Sequence, residues 1–333
     1  MTAQFALTGG ECLRIDCGPA WTRKLLQRGL AGESFDHEPD PATPTTVHLV
    51  VEVTRQPFVL AGADRVTRGA WSNGTAVLLE NACSSGFSLL LEPQDDVLLV
   101  RARWAPPWRT RLASALLRQR ASLLMRAVLL QYPVMWWSGV HGRAPLHVSA
   151  LVLDRSAPLL AGPSGVGKST LVEAEIEAGH RATCDNLAVS DGRTVFGILE
   201  PRRTSGGSGP RTSHGRREVP FAGRLTSVRP DRVVAVSLSE TAPQAVTRAL
   251  EGDAACRALV AGTYMAGELR RYWAFAATLA AGTGLGPTAP PVEAVARRLT
   301  GTLPCLSLAL SRTSPARLSD PTGPAIESVQ VVP

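Results

Sequence analysis

The stretch LHVSALVLDRSAPLLAGPSGVGKSTLVEAEIEAGHRATCDNLAV, residues 146–189, decides the fold. LHVSALVL and APLLAG read as two strands joined by the turn DRSA, because each is a short apolar run bounded by turn residues. A glycine-rich loop follows. A helix is then expected over 169–178, ending at Gly179, since glycine suits the left-handed position just past a helix. Within the loop, Gly162, Pro163, Ser164, Gly165, Val166, Gly167, Lys168 and Ser169 fill every position of G-x-x-x-x-G-K-[ST]. Glycines let successive backbone N–H groups curl around a polyphosphate, and a helix N-terminus adds a favourable dipole. ATP and Mg²⁺ are therefore the expected cofactors of residues 162–170. Lys168 would reach the β and γ phosphates, and Ser169, followed by Thr170, would present a hydroxyl to the metal. Lys24 and Lys168 are the only lysines among 35 basic residues. A chain that otherwise uses arginine keeps lysine at 168, where a planar guanidinium does not replace a compact ammonium.

An ordinary P-loop NTPase carries a downstream apolar strand ending in Asp. Here the buried-strand candidate VVAVSL, 233–238, runs into Ser239 and Glu240, which argues against the GTPase, AAA and transporter-ATPase classes. The nearest well-placed carboxylate is Asp185, at the end of the next short strand. His147 opens the strand before the loop, and Gly179-His180-Arg181 and Asp185-Asn186 follow the helix. With these features, residues 145–192 resemble the catalytic core of the HPr kinase/phosphorylase family and its HPr-kinase-like relatives.

The resemblance implies that Asp185 is the catalytic aspartate, taking the proton of an attacking hydroxyl, and that His147 neighbours it. A carboxylate beside the γ phosphate is also what a kinase needs to orient and deprotonate a hydroxyl. Ser169 and Asp185 are the candidate metal ligands. The residues alone leave alternatives open: Asp185 as a turn residue before Asn186, and His147 as a satisfied core histidine. Two positions depart from the family. Asn186 replaces the second aspartate, and of the usual downstream Glu-Ile-Arg-Gly-Leu-Gly-Ile only Glu200-Pro201-Arg202 keeps a Glu-x-Arg. The phosphocarrier protein is therefore not the expected substrate.

Beyond the core, residues 201–217 hold five arginines, one histidine and no acid. They read either as a mobile lid, with Arg202 and Arg203 binding substrate anions, or as a solvated loop. Residues 1–105 read as a strand-rich domain of antiparallel strands with a surface loop over 33–44. Residues 106–144 form a connecting segment with a basic helix over 109–131, either a scaffold helix or one touching a membrane surface or partner. Residues 145–313 form the P-loop kinase domain, mainly helical over 241–280 and closing with the strand LPCLSLALSR. Residues 314–333 form a loose tail. The fold class expected is α/β (α+β): a P-loop domain with a mixed sheet and helices, preceded by the smaller strand-rich domain.

Composition sets the remaining bounds. Of 333 residues, 44% are hydrophobic and 19% charged, which excludes a disordered chain. The net charge of +7 attracts anions without choosing among them, and no RNA-binding signature or zinc-finger spacing supports nucleic acid. Six cysteines without a CxxC pair give no disulfide framework or metal site. The apolar stretch 112–130 is interrupted by Arg118, Arg120 and Arg126, so no membrane span is expected, and neither nucleic acid nor a membrane is an expected partner. The start shows no signal peptide, and a cytoplasmic location is expected. Together these features lead to an ATP-dependent kinase acting on a hydroxyl of a peptide, protein or small molecule, with natural-product tailoring as one setting. The alternative is a nucleotide-binding regulator or assembly partner without turnover. The family's habit makes a homo-oligomer an expectation.

Overall fold

In a computed structural model, the described residues are 4–17, 26, 44–312 except 53, 55, 207, 212–214, 222 and 242, and 317–319. The expected loop over 33–44 lies outside them apart from Pro44. Among the described residues the named helices are α1 (Trp108–Leu116), α2 (Arg118–Arg126), α3 (Tyr132–Val140), α4 (Lys168–Glu177), α5 (Gly252–Tyr264), α6 (Tyr272–Thr283) and α7 (Val292–Thr302). With four sheets beside them among the described residues, the chain is a mixed α+β protein.

The first half builds an eight-stranded sheet. Its order is Gln4–Thr8, Glu11–Cys17, Val47–Glu52, Val97–Trp104, Phe87–Gln94, Val77–Leu79, Ala70–Ser72 and Asp64–Thr67. Val47, Leu49 and Val51 are buried while their neighbours are half-buried, the period-two pattern of a strand with one covered face. The antiparallel expectation needs correcting. Val47–Glu52 runs parallel to both Glu11–Cys17 and Val97–Trp104, because these partners are joined through long connections, and alternation carries no information about direction.

The basic helix also differs from its expected form. The chain breaks at Leu117 (φ −110, ψ 56) between α1 and α2, then passes through a wide turn, Ala127–Gln131, into α3. From Met125 onward this segment is buried. Trp136 and Trp137 of α3 join an apolar cluster that also takes in Leu89 and Leu98 of the sheet and Tyr272, Phe275 and Leu279 of α6. One core thus runs from the first half of the chain into the second, and the Tyr132 and Tyr272 rings sit 5.6 Å apart within it.

The second half centres on a six-stranded sheet ordered Arg181–Cys184, Val148–Val152, Pro158–Ala161, Arg232–Ser239, Cys305–Ser311 and Val246–Ala249. Three central strands are parallel, in the register Leu160–Val234–Leu306. Leu160 and Val234 face α4 through Leu171 and Val172. Leu159 and Val233 face the other way, towards Leu259 of α5 and Val295 and Leu299 of α7. The expected strands at 148–161, the helix ending before Gly179 (φ +96) and the last strand all form. Two expectations are corrected. Val246–Ala249, placed in the helical region, is an edge strand pairing antiparallel with Cys305–Ser311, where short β-prone residues gain sheet hydrogen bonds. The tail expected to be loose is docked at 317–319. Leu318 is buried there, and the Leu318 and Ser319 N–H groups donate to the Glu175 carboxylate. Among the described residues no helix is long and apolar enough to cross a membrane.

Candidate functional site

The strand Pro158–Ala161 delivers the chain into the loop 162–167, and α4 begins at Lys168. Two glycines are required by this geometry. A side chain at Gly162 (φ +141) would put Cβ 2.6 Å from the Val236 carbonyl oxygen of the neighbouring parallel strand. Gly167 caps α4 at φ +102, a left-handed conformation, with Leu310 Cδ1 2.7 Å from where its Cβ would be. The loop can therefore lie against the sheet edge only with these positions bare. Lys168 is buried and folds back, its Nζ donating to the Gly162 carbonyl at 2.7 Å and the Pro163 carbonyl at 3.0 Å. Burial pulls its pKa down to about 8, against the opposing pull of Asp185 and Glu268.

The loop opens on a cavity of about 830 Å³. Ser164, Gly165, Gly167, Lys168, Ser169 and Thr170 form one wall; Gly162, Pro163 and Val166 are not part of it. His147, Asp185, Asn186, Glu200, Arg203 and Glu268 also line it. α2 and the turn after it add Arg120, Leu123, Leu124 and Arg126 to the lining.

Asp185 follows the strand Arg181–Cys184 and is 1% exposed. Its carbonyl accepts the Ser149 hydroxyl at 2.7 Å, which fixes the backbone, and its Oδ2 accepts the Arg203 backbone N–H at 3.1 Å. Oδ1 is buried with no hydrogen-bond partner among the described residues. A buried carboxylate oxygen without a partner is costly unless something else pairs with it, so Oδ1 is the unsatisfied atom of this carboxylate. The described residues contain no cluster of three His, Cys, Asp or Glu side chains that would hold a metal by themselves. A carboxylate and a hydroxyl, Asp185 and Ser169, completed by nucleotide phosphates, suit Mg²⁺ binding.

His147 sits where Ala144–Leu146 gives way to Val148–Val152, and it is buried. The resemblance makes it a neighbour of Asp185, but its ring contacts lie elsewhere. Nδ1 lies 3.1 Å from the Gly262 carbonyl oxygen and Nε2 3.2 Å from the Asn186 side-chain oxygen, and a neutral ring donates to one of these two acceptors. Burial, then the Lys168 ammonium, lowers its pKa to about 4, so the imidazole is neutral at neutral pH. The amide of Asn186 reaches Glu200 at 3.5 Å, and Glu200 Oε1 accepts the Leu187 N–H at 2.8 Å. His147, Asn186 and Glu200 thus form one buried polar chain behind Asp185.

Burial raises the Glu200 pKa from 4.5 to about 7, against the opposing pull of Arg203. Between these values the folded chain holds a proton that the unfolded chain has lost. The linked stability is present below about pH 4.5 and drains away as pH rises through about 7. Thermal melts of Glu200→Gln are expected to lose that decline, since an amide keeps the shape without ionising. A parent-like pH dependence in the variant would show that Glu200 is not the titrating group.

The basic loop is a hairpin at its base, Arg202–Thr204 against Arg217–Val219. It rests on α4: Ser205 donates to the Glu173 carboxylate and Arg216 to the Thr170 hydroxyl. Arg203 faces the cavity with its guanidinium paired to Glu268 at 2.9 Å, while Arg202 does not line it. Sequence reading missed Glu268, Arg126 and Arg216. Arg126 is buried against Glu218 at 2.8 Å. Nothing local marks Glu268, which lies in the connection between α5 and α6 and meets Arg203 only through the fold.

No protein-family model matches the chain, and no curated protein matches it. Among solved structures, the HPr(Ser) kinase/phosphatase from Coxiella burnetii is similar over 32% of this chain and 71% of that one, at 19% identity and a TM-score of 0.23. The functional reading therefore rests on the residues and the geometry of the cavity.

Proposed function

We propose that the chain is an ATP-dependent phosphotransferase that moves the γ phosphoryl group to a hydroxyl acceptor. The observation that carries this reading is Asp185, whose buried Oδ1 has no hydrogen-bond partner among the described residues, lining the same cavity as Lys168 and the N-terminus of α4. In this reading residues 162–170 hold the ATP phosphates, their backbone N–H groups and the helix dipole balancing the charge. Lys168 Nζ leaves the Gly162 and Pro163 carbonyls for the β and γ phosphates. Ser169 Oγ and Asp185 are the residues placed to hold Mg²⁺, which supplies charge neutralisation on the transferring phosphates when bound. Asp185 orients the acceptor hydroxyl and accepts its proton as the new O–P bond forms and ADP leaves. The catalytic unit is residues 145–313, and the acceptor is a peptide, protein or small molecule.

Asn186 favours a second reading. An amide replaces the family's second carboxylate, which supports a nucleotide-binding regulator without turnover.

One experiment separates the two. Purified protein is incubated with γ-labelled ATP and fractionated lysate, and labelled products are identified by mass spectrometry. A labelled hydroxyl ester is expected. ATP–Mg²⁺ binding by calorimetry with no transfer in any fraction would favour the regulator, and absence of binding would remove both.

A further inference from the structure

Helix α1 is turned inside out for an amphipathic helix on a protein surface. Trp108, Leu112 and Leu116 recur every fourth residue and so share one stripe at about 3.6 residues per turn. They are 70%, 54% and 73% exposed, whereas Thr110 and Ser114 on the opposite side are half-buried. No residue of α1 is buried. The ordinary arrangement puts the apolar stripe inward. Leu117 extends the exposed apolar surface at the break before α2, and Trp104 at the end of its strand adds to it.

The charge around this stripe is of one sign. Arg109 and Arg111 flank it on either side, and Arg118 and Arg120 follow. The guanidinium of Arg109 lies 5.4 Å from the Trp108 ring and that of Arg111 lies 5.9 Å from the Trp104 ring. From Asp96 to Asp154 no carboxylate side chain intervenes in the sequence. None of the ion pairs among the described residues uses these four arginines. An occupant of this face must therefore be apolar along the stripe and anionic along both margins. A second copy brings the same arginines against themselves. A bilayer rich in anionic lipid meets both demands at once, because indole and leucine side chains enter the interface while flanking arginines reach back to the phosphates.

We infer that α1 docks the protein on an anionic membrane surface, lying in the interface without spanning it. This binding does not depend on the proposed phosphotransfer, and of the four arginines only Arg120 also lines the cavity.

The test is sedimentation of the full chain with phosphatidylcholine vesicles, with and without phosphatidylglycerol. Binding is expected only with the anionic lipid and should weaken with added salt. Each arginine near an anionic surface raises partitioning about five-fold, so Arg109→Gln with Arg111→Gln should cost about 25-fold. Leu112→Gln with Leu116→Gln leaves the charge unchanged and should cost about ten-fold or more. All four positions are exposed, and unchanged thermal melts will confirm that the variants fold. Absence of binding to anionic vesicles overturns the inference. So does binding that survives the leucine substitutions, since the net charge of +7 would then be the whole cause. A wild-type oligomer that the leucine variant breaks to monomers, with no vesicle binding, would assign the face to a second copy instead.

Discussion

Asp185→Asn is expected to keep ATP–Mg²⁺ affinity within a few-fold and to lose about 10²–10⁴-fold in phosphoryl transfer. The substitution preserves size and keeps an oxygen to accept the Arg203 backbone N–H that Oδ2 accepts in the parent. It removes the proton acceptor and the negative charge at Oδ1, the buried oxygen that has no hydrogen-bond partner among the described residues. A general base acts on the acceptor hydroxyl in the transition state, whereas in the proposed function the loop 162–170 holds the ATP phosphates in the ground state too. Loss of the first shows as turnover and loss of the second as binding. Calorimetry and a transfer assay on the same preparation make the distinction. Transfer close to the parent rate would reduce Asp185 to a turn residue. A collapse of ATP–Mg²⁺ binding along with transfer would make it chiefly a metal ligand, in place of the aspartate missing after Val233–Leu238.

The parts of the site legible in the sequence are those written locally. The loop from Gly162 to Ser169 announces itself because steric and phosphate-binding demands fall on consecutive residues. The strands either side follow from short apolar runs. The rest depends on residues far apart in the chain. Arg203 meets Glu268, Arg126 meets Glu218, and the Glu175 carboxylate takes up Leu318 and Ser319. No periodicity links such partners, so each appears in the sequence as one more charged residue. His147 shows the same limit. Its position was legible, but its partners, Gly262 and Asn186, come from α5 and from the segment after Cys184. The core failed to divide at the expected boundary for a related reason. Tyr272 and Phe275 read as ordinary helix residues, yet they pack with Trp136 and Leu89 from the first half.

Lys168→Ala is expected to lower ATP–Mg²⁺ affinity by about 100-fold while leaving the fold as stable as the parent or slightly more so. The affinity loss follows from removing a charge-assisted contact to phosphate inside a cavity wall, where hydrogen bonds to charged groups carry about 1.5–3 kcal/mol each. The stability effect comes from the resting state. Lys168 is 5% exposed, and among the described residues its ammonium has only the Gly162 and Pro163 carbonyls as hydrogen-bond partners. Burial depresses its pKa from 10.5 to about 8. A cation with a depressed folded pKa costs stability as pH falls through that interval, because the unfolded chain takes up the proton first. At neutral pH the full cost is present, and alanine removes it. The two effects therefore move in opposite directions in one variant, which a merely structural lysine would not produce. Thermal melts and calorimetry at pH values on both sides of about 8 read them independently. Unchanged ATP affinity would sink the nucleotide-binding assignment. A lowered melting temperature would show instead that the ammonium holds the loop together through Gly162 and Pro163.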